Sequence, residues 1–384
     1  MGNILIAHGG APTAVINASL AGVIARLKGV GFKGKIYGAK FGSGGIMDED
    51  FIDLTNVTDN QIQILKHTPG SAIGTGRRYV SDEDYKNMIP IFKKHDISYV
   101  LFNGGNGSMD TCGKIYAEAK DAGIVCVGIP KTIDNDIMET DHAPGYASAA
   151  RYLACSVKEC IQDIKGLPIH VSVIESMGRN VGWITAAAAL ARDEDGDAPD
   201  LIYCPEMPFD EDKFLGDAEN LFAKKGGVTV VVSEGLRGKN GEPIVEPIFE
   251  VGRSVYFGDV SSHLSNLIIK KLGIKARSEK PGILQRASAT FASKVDIEEA
   301  FIAGAEAVNA ALAGISGVMV AFDRVSTVPY VMKTKLVPIE KVMLTERLFP
   351  EEYLTADKNN VTKEFIDWVK PLIGEMPEFV SFLD

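Results

Sequence analysis

Three short apolar runs, residues 4–7, 97–102 and 124–129, each stop at a turn built from glycine or from Asp and Asn, and the first two lead directly into apolar positions at helical spacing. A buried strand, a polar turn and an amphipathic helix form the repeating unit of a parallel sheet, because parallel neighbours need a helical crossover. The turns then lie along the carboxyl edge of the sheet, where open α/β sheets bind ligands. The pattern recurs with strands at 170–174, 201–204 and 228–232 and helices at 210–225 and 261–272. Helices are also expected over 13–27, 82–94, 145–165, 184–192 and 296–312, and strands over 36–39 and 317–322. Residues 42–45 read as a flexible loop and 240–257 as a variable one. A chain of 384 residues exceeds one ordinary core and divides into two α/β units.

The turns carry the chemistry. Pro130-Lys131-Thr132-Ile133-Asp134-Asn135-Asp136 sets two carboxylates, an amide, a hydroxyl and an ammonium just past a strand. Such a stretch either caps the next helix or holds cations against paired carboxylates. His8-Gly9-Gly10 opens a strand-turn-helix whose small residues allow a phosphate to approach free helix N–H groups, without matching the dinucleotide fingerprint. The turn 103–110 fails as a Walker motif: its Gly–Lys pair comes one residue late, and Ile115 replaces the required hydroxyl. Arg77 and Arg78 end a loop of glycines and hydroxyls, either as a phosphate clamp or as surface cations.

Net charge is −11, which argues against nucleic acid or an anionic membrane as partner. Any small anionic ligand therefore needs local cations. Five cysteines form no CxxC pair, as expected of reduced thiols in the cytoplasm. No leader pattern opens the sequence, and no apolar run reaches the length of a membrane span.

Gly104-Gly105-Asn106-Gly107-Ser108, the 130–136 stretch, Met177-Gly178-Arg179 and Gln285-Arg286 occur together and in this order. The set resembles the phosphofructokinase family over residues 1 to about 325. Several stretches (10–19, 106–111, 140–149, 178–191 and 281–287) are worded most like its pyrophosphate-dependent branch. The resemblance implies two Rossmann-like three-layer α/β domains with mainly parallel sheets and an interdomain active-site cleft. Residues 1–144 with about 284–335 would bind the phosphoryl donor, 145–283 the sugar phosphate, and 336–384 would be a C-terminal extension. The implied reaction is phosphoryl transfer to the 1-hydroxyl of fructose 6-phosphate, a step of glycolysis, with Mg²⁺ as cofactor and a homodimer or homotetramer as the assembly.

Residue by residue, Asp134 matches the general base, with Lys131 and Arg179 beside the reaction. Thr132, Ile133, Met177, Gly178, Arg179, Glu234 and Arg286 match the sugar-phosphate site, and Arg277 an arginine usually lent by a neighbouring subunit. Ile283 stands where many relatives have His or Tyr, and His170 where bacterial ATP enzymes have an arginine for the neighbour's sugar phosphate. Gly10, Arg77, Arg78, Gly105, Asn106, Gly107 and Ser108 match the donor site, with Asn106 and Asp136 toward the metal. Phosphoryl transfer needs alignment, charge neutralisation and one base, which suits these residue types.

Two positions bear on the donor. The pyrophosphate branch usually pairs Asp at 107 with Lys at 131, whereas the ATP branch has Gly at both. This chain combines Gly107 with Lys131. A carboxylate at 107 would crowd and repel a nucleotide α-phosphate, so the glycine favours ATP, with pyrophosphate as the alternative. A non-catalytic relative that binds sugar phosphate or nucleotide is the second alternative.

Overall fold

The computed structural model describes residues 2–383 except 77, 193–197 and 252–253, and the side chains of these except 250, 251 and 254–256. The elements run β1 (Asn3–His8), α1 (Ile16–Gly29), β2 (Ile36–Ala39), α2 (Ser43–Met47), β3 (Phe51–Asp53), α3 (Asp59–Lys66), α4 (Asp82–Lys94), β4 (Ile97–Gly104), α5 (Asn106–Ala119), β5 (Val125–Pro130) and α6 (Tyr146–Gly166). There follow β6 (Val171–Ser176), α7 (Trp183–Ala187), β7 (Leu201–Tyr203), α8 (Glu211–Lys225), β8 (Val228–Ser233), β9 (Pro247–Val251), β10 (Ser254–Phe257), α9 (Val260–Leu272) and β11 (Ala276–Glu279). The last elements are α10 (Leu284–Ala287), α11 (Lys294–Leu312), β12 (Val318–Thr327), β13 (Tyr330–Pro338) and α12 (Lys363–Ile373).

The chain forms two compact units, Met1–Ser148 with Arg286–Arg347 and Ala149–Gln285 with Leu348–Asp384. The sheet of the first has the order β13-β12-β5-β4-β1-β2-β3. Strands β12, β5, β4, β1 and β2 are parallel, and β3 and β13 close the edges antiparallel. The chain leaves β1 for β2 on one side and returns to β4 on the other, so the switch point lies between β1 and β4. Ile4 and Ile6 pack on one face with Leu20, Ile24 and Val308, while Leu5 and Ala7 pack on the other with Phe92, Phe102 and Met109. Both faces are thus covered, as a parallel sheet requires.

The second unit holds the parallel sheet β11-β6-β8-β7, whose inner strands are buried along their length. Phe214 of α8 and Leu264 and Ile268 of α9 cover one face. Most expected elements appear within a few residues of their expected ends. Three differ. Of the expected flexible loop 42–45, Gly42 caps α2 and 43–45 lie within it, and 240–257 contains the hairpin of β9 and β10. The helix expected over 184–192 is α7 plus a 3₁₀ turn ending at Ala191, after which Arg192 is extended.

Candidate active site

In the first unit, parallel pairing brings the carboxyl ends of β1, β4 and β5 side by side: His8 lies opposite Asn103, and Gly104 opposite Pro130. The turns carrying Gly10, Gly105, Asn106, Gly107, Ser108 and Lys131 thereby become neighbours. Helix α5 starts at Asn106 with Gly105 as its cap, so its first N–H groups face this edge. A side chain on Gly104 would begin 2.0 Å from Ser108 Oγ, so only glycine admits the serine there.

Lys131 is 3% exposed, and its Nζ donates to the main-chain oxygens of Gly9 at 3.0 Å and Ala11 at 2.6 Å. Its own N–H donates to Gly104 O. The ammonium thus fastens the β1 turn to the turn after β5. Burial, and then the charge of Lys131, hold the His8 imidazole down at about 3, so it is neutral. His8 Nδ1 lies 2.8 Å from Ser71 Oγ, and buried Asn17 bonds Thr68 O and Ala72 N, both at 2.9 Å. Gly76 pairs with Gly9. These contacts fix the loop before the twin arginines. Arg77 lies outside the described residues. Arg78 is exposed and pairs with Asp48 at 2.8 Å.

After Lys131 the chain turns so that Asp134 N–H donates to Thr132 Oγ1, with Asp134 half-buried. Ile133 is buried. Burial, and then the charge of Glu346, raise the Asp136 carboxyl, against hydrogen bonds from Thr132 and Asn106. Asn106 Nδ2 donates to Asp136 Oδ2 at 2.9 Å, while Asn106 Oδ1 and Asp136 Oδ1 are buried without hydrogen-bond partners. Two unsatisfied oxygens on bonded side chains suit a hard cation that keeps most of its water. Among the described residues no group of three or more His, Cys, Asp or Glu side chains could hold a metal by itself.

The following segment is anchored from α11. Asn135 Oδ1 accepts from Ala143 N, and Thr132 N–H donates to Pro144 O. Fully buried Asp296 accepts from Gly145 N, Ser148 N and Ser148 Oγ, and Glu299 lies 2.6 Å from His142 Nε2. His8, Asn17, Asp296 and Glu299 were not singled out from sequence. Their signal is a polar side chain on an otherwise apolar helix face or at the end of an apolar strand.

In the second unit, β6 and β8 end side by side, with Ser176 opposite Ser233. Gly178 N–H donates to Glu234 Oε1 at 3.3 Å, Ser233 Oγ to Gly178 O at 2.7 Å, and Met177 N–H to Gln285 Oε1 at 2.9 Å. Arg179 is exposed, its guanidinium 5.4 Å from the Phe257 ring centre. Burial, and then the charge of Glu175, raise the Glu234 carboxyl, against the Gly178 N–H and the cations Arg179 and Lys280. Arg277 is exposed on edge strand β11, beside β6, which begins just after buried His170. Ile283 is 64% exposed, so it is not a core residue; Arg286, half-buried in α10, belongs to the first unit.

A switch-point edge lined by glycines, a helix N-terminus and a buried ammonium is an arrangement with which α/β folds hold phosphate groups. The family model for phosphofructokinase matches residues 3–311. The chain belongs to the phosphofructokinase family. It is 36% identical to pyrophosphate–fructose 6-phosphate 1-phosphotransferase of Rhodospirillum rubrum, covering 100% of this chain and 97% of that one. It is 32% identical to a sulfofructose kinase of Alkalicoccus urumqiensis, covering 97% and 96%. The crystal structure of pyrophosphate-dependent phosphofructokinase from Marinobacter aquaeolei matches with a TM-score of 0.89 and 36% identity, covering 100% and 95%. No helix among the described residues is long and apolar enough to cross a membrane.

Proposed function

We propose that this chain transfers a phosphoryl group to the 1-hydroxyl of fructose 6-phosphate, giving fructose 1,6-bisphosphate, with pyrophosphate as donor. The observation that carries the reading is Asp134 standing three residues after the buried ammonium of Lys131, at the edge shared by β1, β4 and β5. A carboxylate there can take the proton of an attacking hydroxyl while cations and helix N–H groups neutralise the transferring group.

Thr132 orients the Asp134 turn through its hydroxyl. Gly10, Gly105, Asn106, Gly107 and Ser108 are given to the donor phosphates, and Lys131 to the oxygens of the transferring group. Met177, Gly178, Arg179, Glu234 and Arg286 are given to the sugar phosphate. Asn106 and Asp136 would hold Mg²⁺ through their unsatisfied oxygens, and the ion would supply charge neutralisation on donor oxygens. Arg277, exposed on an edge strand, supports a site completed by a second copy, hence a homodimer or homotetramer.

The donor assignment takes up the pyrophosphate alternative in place of the preference for ATP read from Gly107. The relative and the solved structure that are 36% identical over nearly their full length are named for pyrophosphate, and a glycine admits the smaller donor as readily as the nucleotide. One observation supports ATP as the second reading: a Cβ at Gly107 would meet no atom of the described residues within 4 Å, which leaves that position open to a nucleotide α-phosphate. The test is bisphosphate formation in a coupled assay, with pyrophosphate and ATP in parallel. Sulfofructose runs beside fructose 6-phosphate because one relative carries that name. The reading expects turnover of fructose 6-phosphate, fastest with pyrophosphate. Faster turnover with ATP moves the donor to the second reading. Stabilisation by sugar phosphate without turnover from either donor leaves a non-catalytic binding protein.

A further inference from the structure

We infer that the C-terminal segment Leu348–Asp384 is a positioning element for the loop 177–182, tied to it through Glu206. The inference rests on the proposed function, which gives this loop to the sugar phosphate, and it concerns a segment beyond residue 311, where the family match ends.

One carboxylate oxygen joins the two. Glu206 Oε1 accepts from Gly182 N at 2.7 Å and from Phe349 N at 3.0 Å. Gly182 is the last residue of the loop, and Phe349 begins the C-terminal segment's packing. A shared acceptor at the end of a loop fixes where that end can lie, since moving either N–H breaks a bond to a charged oxygen.

The residue after the loop is held the same way. Trp183 is fully buried, and its ring packs against Phe349 at 5.0 Å, Trp368 at 5.1 Å, Tyr353 at 6.3 Å and Phe365 at 6.4 Å between centroids. All these partners come from the C-terminal segment. That segment is itself fastened independently. Ile202 N–H donates to Asn359 O at 2.8 Å, Arg192 Nη2 to Asn360 Oδ1 at 2.5 Å, and Arg151 Nη1 to Ile373 O at 2.8 Å. Helix α12 buries Phe365, Val369, Leu372 and Ile373.

The loop is therefore held at both ends. Ser233, Glu234 and Gln285 hold 177–178, and Glu206 with the aromatic cluster holds 182–183. Arg179 lies between the two anchors, so its position depends on both. Removing the distal anchor loosens acceptor binding while leaving the donor turns of the other unit intact.

The test compares the parent protein with Glu206→Ala and Glu206→Gln. Glutamine keeps an acceptor oxygen for both N–H groups, and alanine removes it. The alanine variant is expected to raise KM for fructose 6-phosphate by at least about tenfold with donor KM unchanged. The glutamine variant is expected to stay near the parent. Hydrogen exchange, which needs no turnover, is expected to quicken over 178–183 in the alanine variant and not in the glutamine variant. The inference is overturned if the alanine variant keeps both the parent KM and the parent exchange. It is equally overturned if exchange rises throughout the second unit, or if both KM values move together, since either shows general loosening. A parent protein that neither turns over nor binds fructose 6-phosphate sinks the proposed function, while exchange still decides whether the anchor holds the loop.

Discussion

The ammonium of Lys131 donates to the main-chain oxygen of Ala11 at 2.6 Å, tying the turn after β1 to the turn after β5. The same nitrogen reaches Gly9 O at 3.0 Å. One buried cation thus fixes two turns of the proposed donor site and supplies positive charge to a chain whose net charge is −11.

Lys131→Met keeps most of the stem and removes the charge. Two carbonyls lose a charge-assisted partner, at a cost of about 1–3 kcal/mol. The expected outcome is a fall of about 100-fold or more in kcat/KM for the donor, with a lowered denaturation midpoint. Donor kinetics and urea unfolding check both; an unchanged donor kcat/KM contradicts the role given to the ammonium.

Gly107→Asp tests the donor argument within the first turn of α5. The site has room for a Cβ, and an acidic residue is favourable in the first turn of a helix, so the fold is expected to tolerate it. The carboxylate would repel the α-phosphate of ATP. The ratio of pyrophosphate to ATP turnover is expected to rise about tenfold or more. Donor kinetics on purified variant and parent decide it, and an unchanged ratio removes the steric and electrostatic argument.

Gly235→Ala strikes from beneath the loop 177–182, which the proposal gives to the sugar phosphate. A Cβ there would begin 1.6 Å from the Arg179 carbonyl oxygen, which is main chain and gives way only if the loop moves with it. The loop must shift, at a cost of about 1–3 kcal/mol. KM for fructose 6-phosphate is expected to rise more than donor KM. Equal kinetics in the two proteins would show that the loop has slack.

Stability should fall in mild alkali because of His142. Burial opposes its charge, but Glu299 and Asp141 outweigh burial and lift it to about 9 from 6.5. The groups facing it are Asp141 from its own segment, Glu299 and Asp296 from α11, and Arg324 and Tyr330 from the β12–β13 hairpin. The Asp141 carboxyl is itself held below its usual range: His142 and then Arg324 outweigh burial, so it stays ionised throughout this window. A folded value above the unfolded one means the stabilisation is complete below about 6.5 and is lost as pH rises through about 9. The loss is on the order of 3 kcal/mol at most. Urea unfolding of the parent and His142→Gln at pH 6.5 and 9.5 reads it: the parent's midpoint should drop and the variant's should not. A flat parent profile contradicts the account.

The strands and turns of the site were legible because they are local: apolar runs ending at Gly9, Asn103 and Pro130 announce the carboxyl edge without any tertiary knowledge. What holds those turns was not legible. His8 meets Ser71 across 63 positions, and Asp296 meets Gly145 across 151, and no local pattern encodes either pairing. Residues 43–47 carry two glycines in a row, so propensity argues for a loop. The helix forms because Ile46 is buried in the core and Gly45 lies against the Lys40 main chain.

Asp134→Asn tests the central claim most directly, because it keeps the shape of the turn and removes the one group given the proton of the sugar hydroxyl. In the coupled assay kcat for fructose 1,6-bisphosphate formation should fall by about 100-fold to 10,000-fold, with KM for fructose 6-phosphate within a few-fold of the parent. A variant that turns over within tenfold of the parent would contradict the assignment of Asp134 as the base.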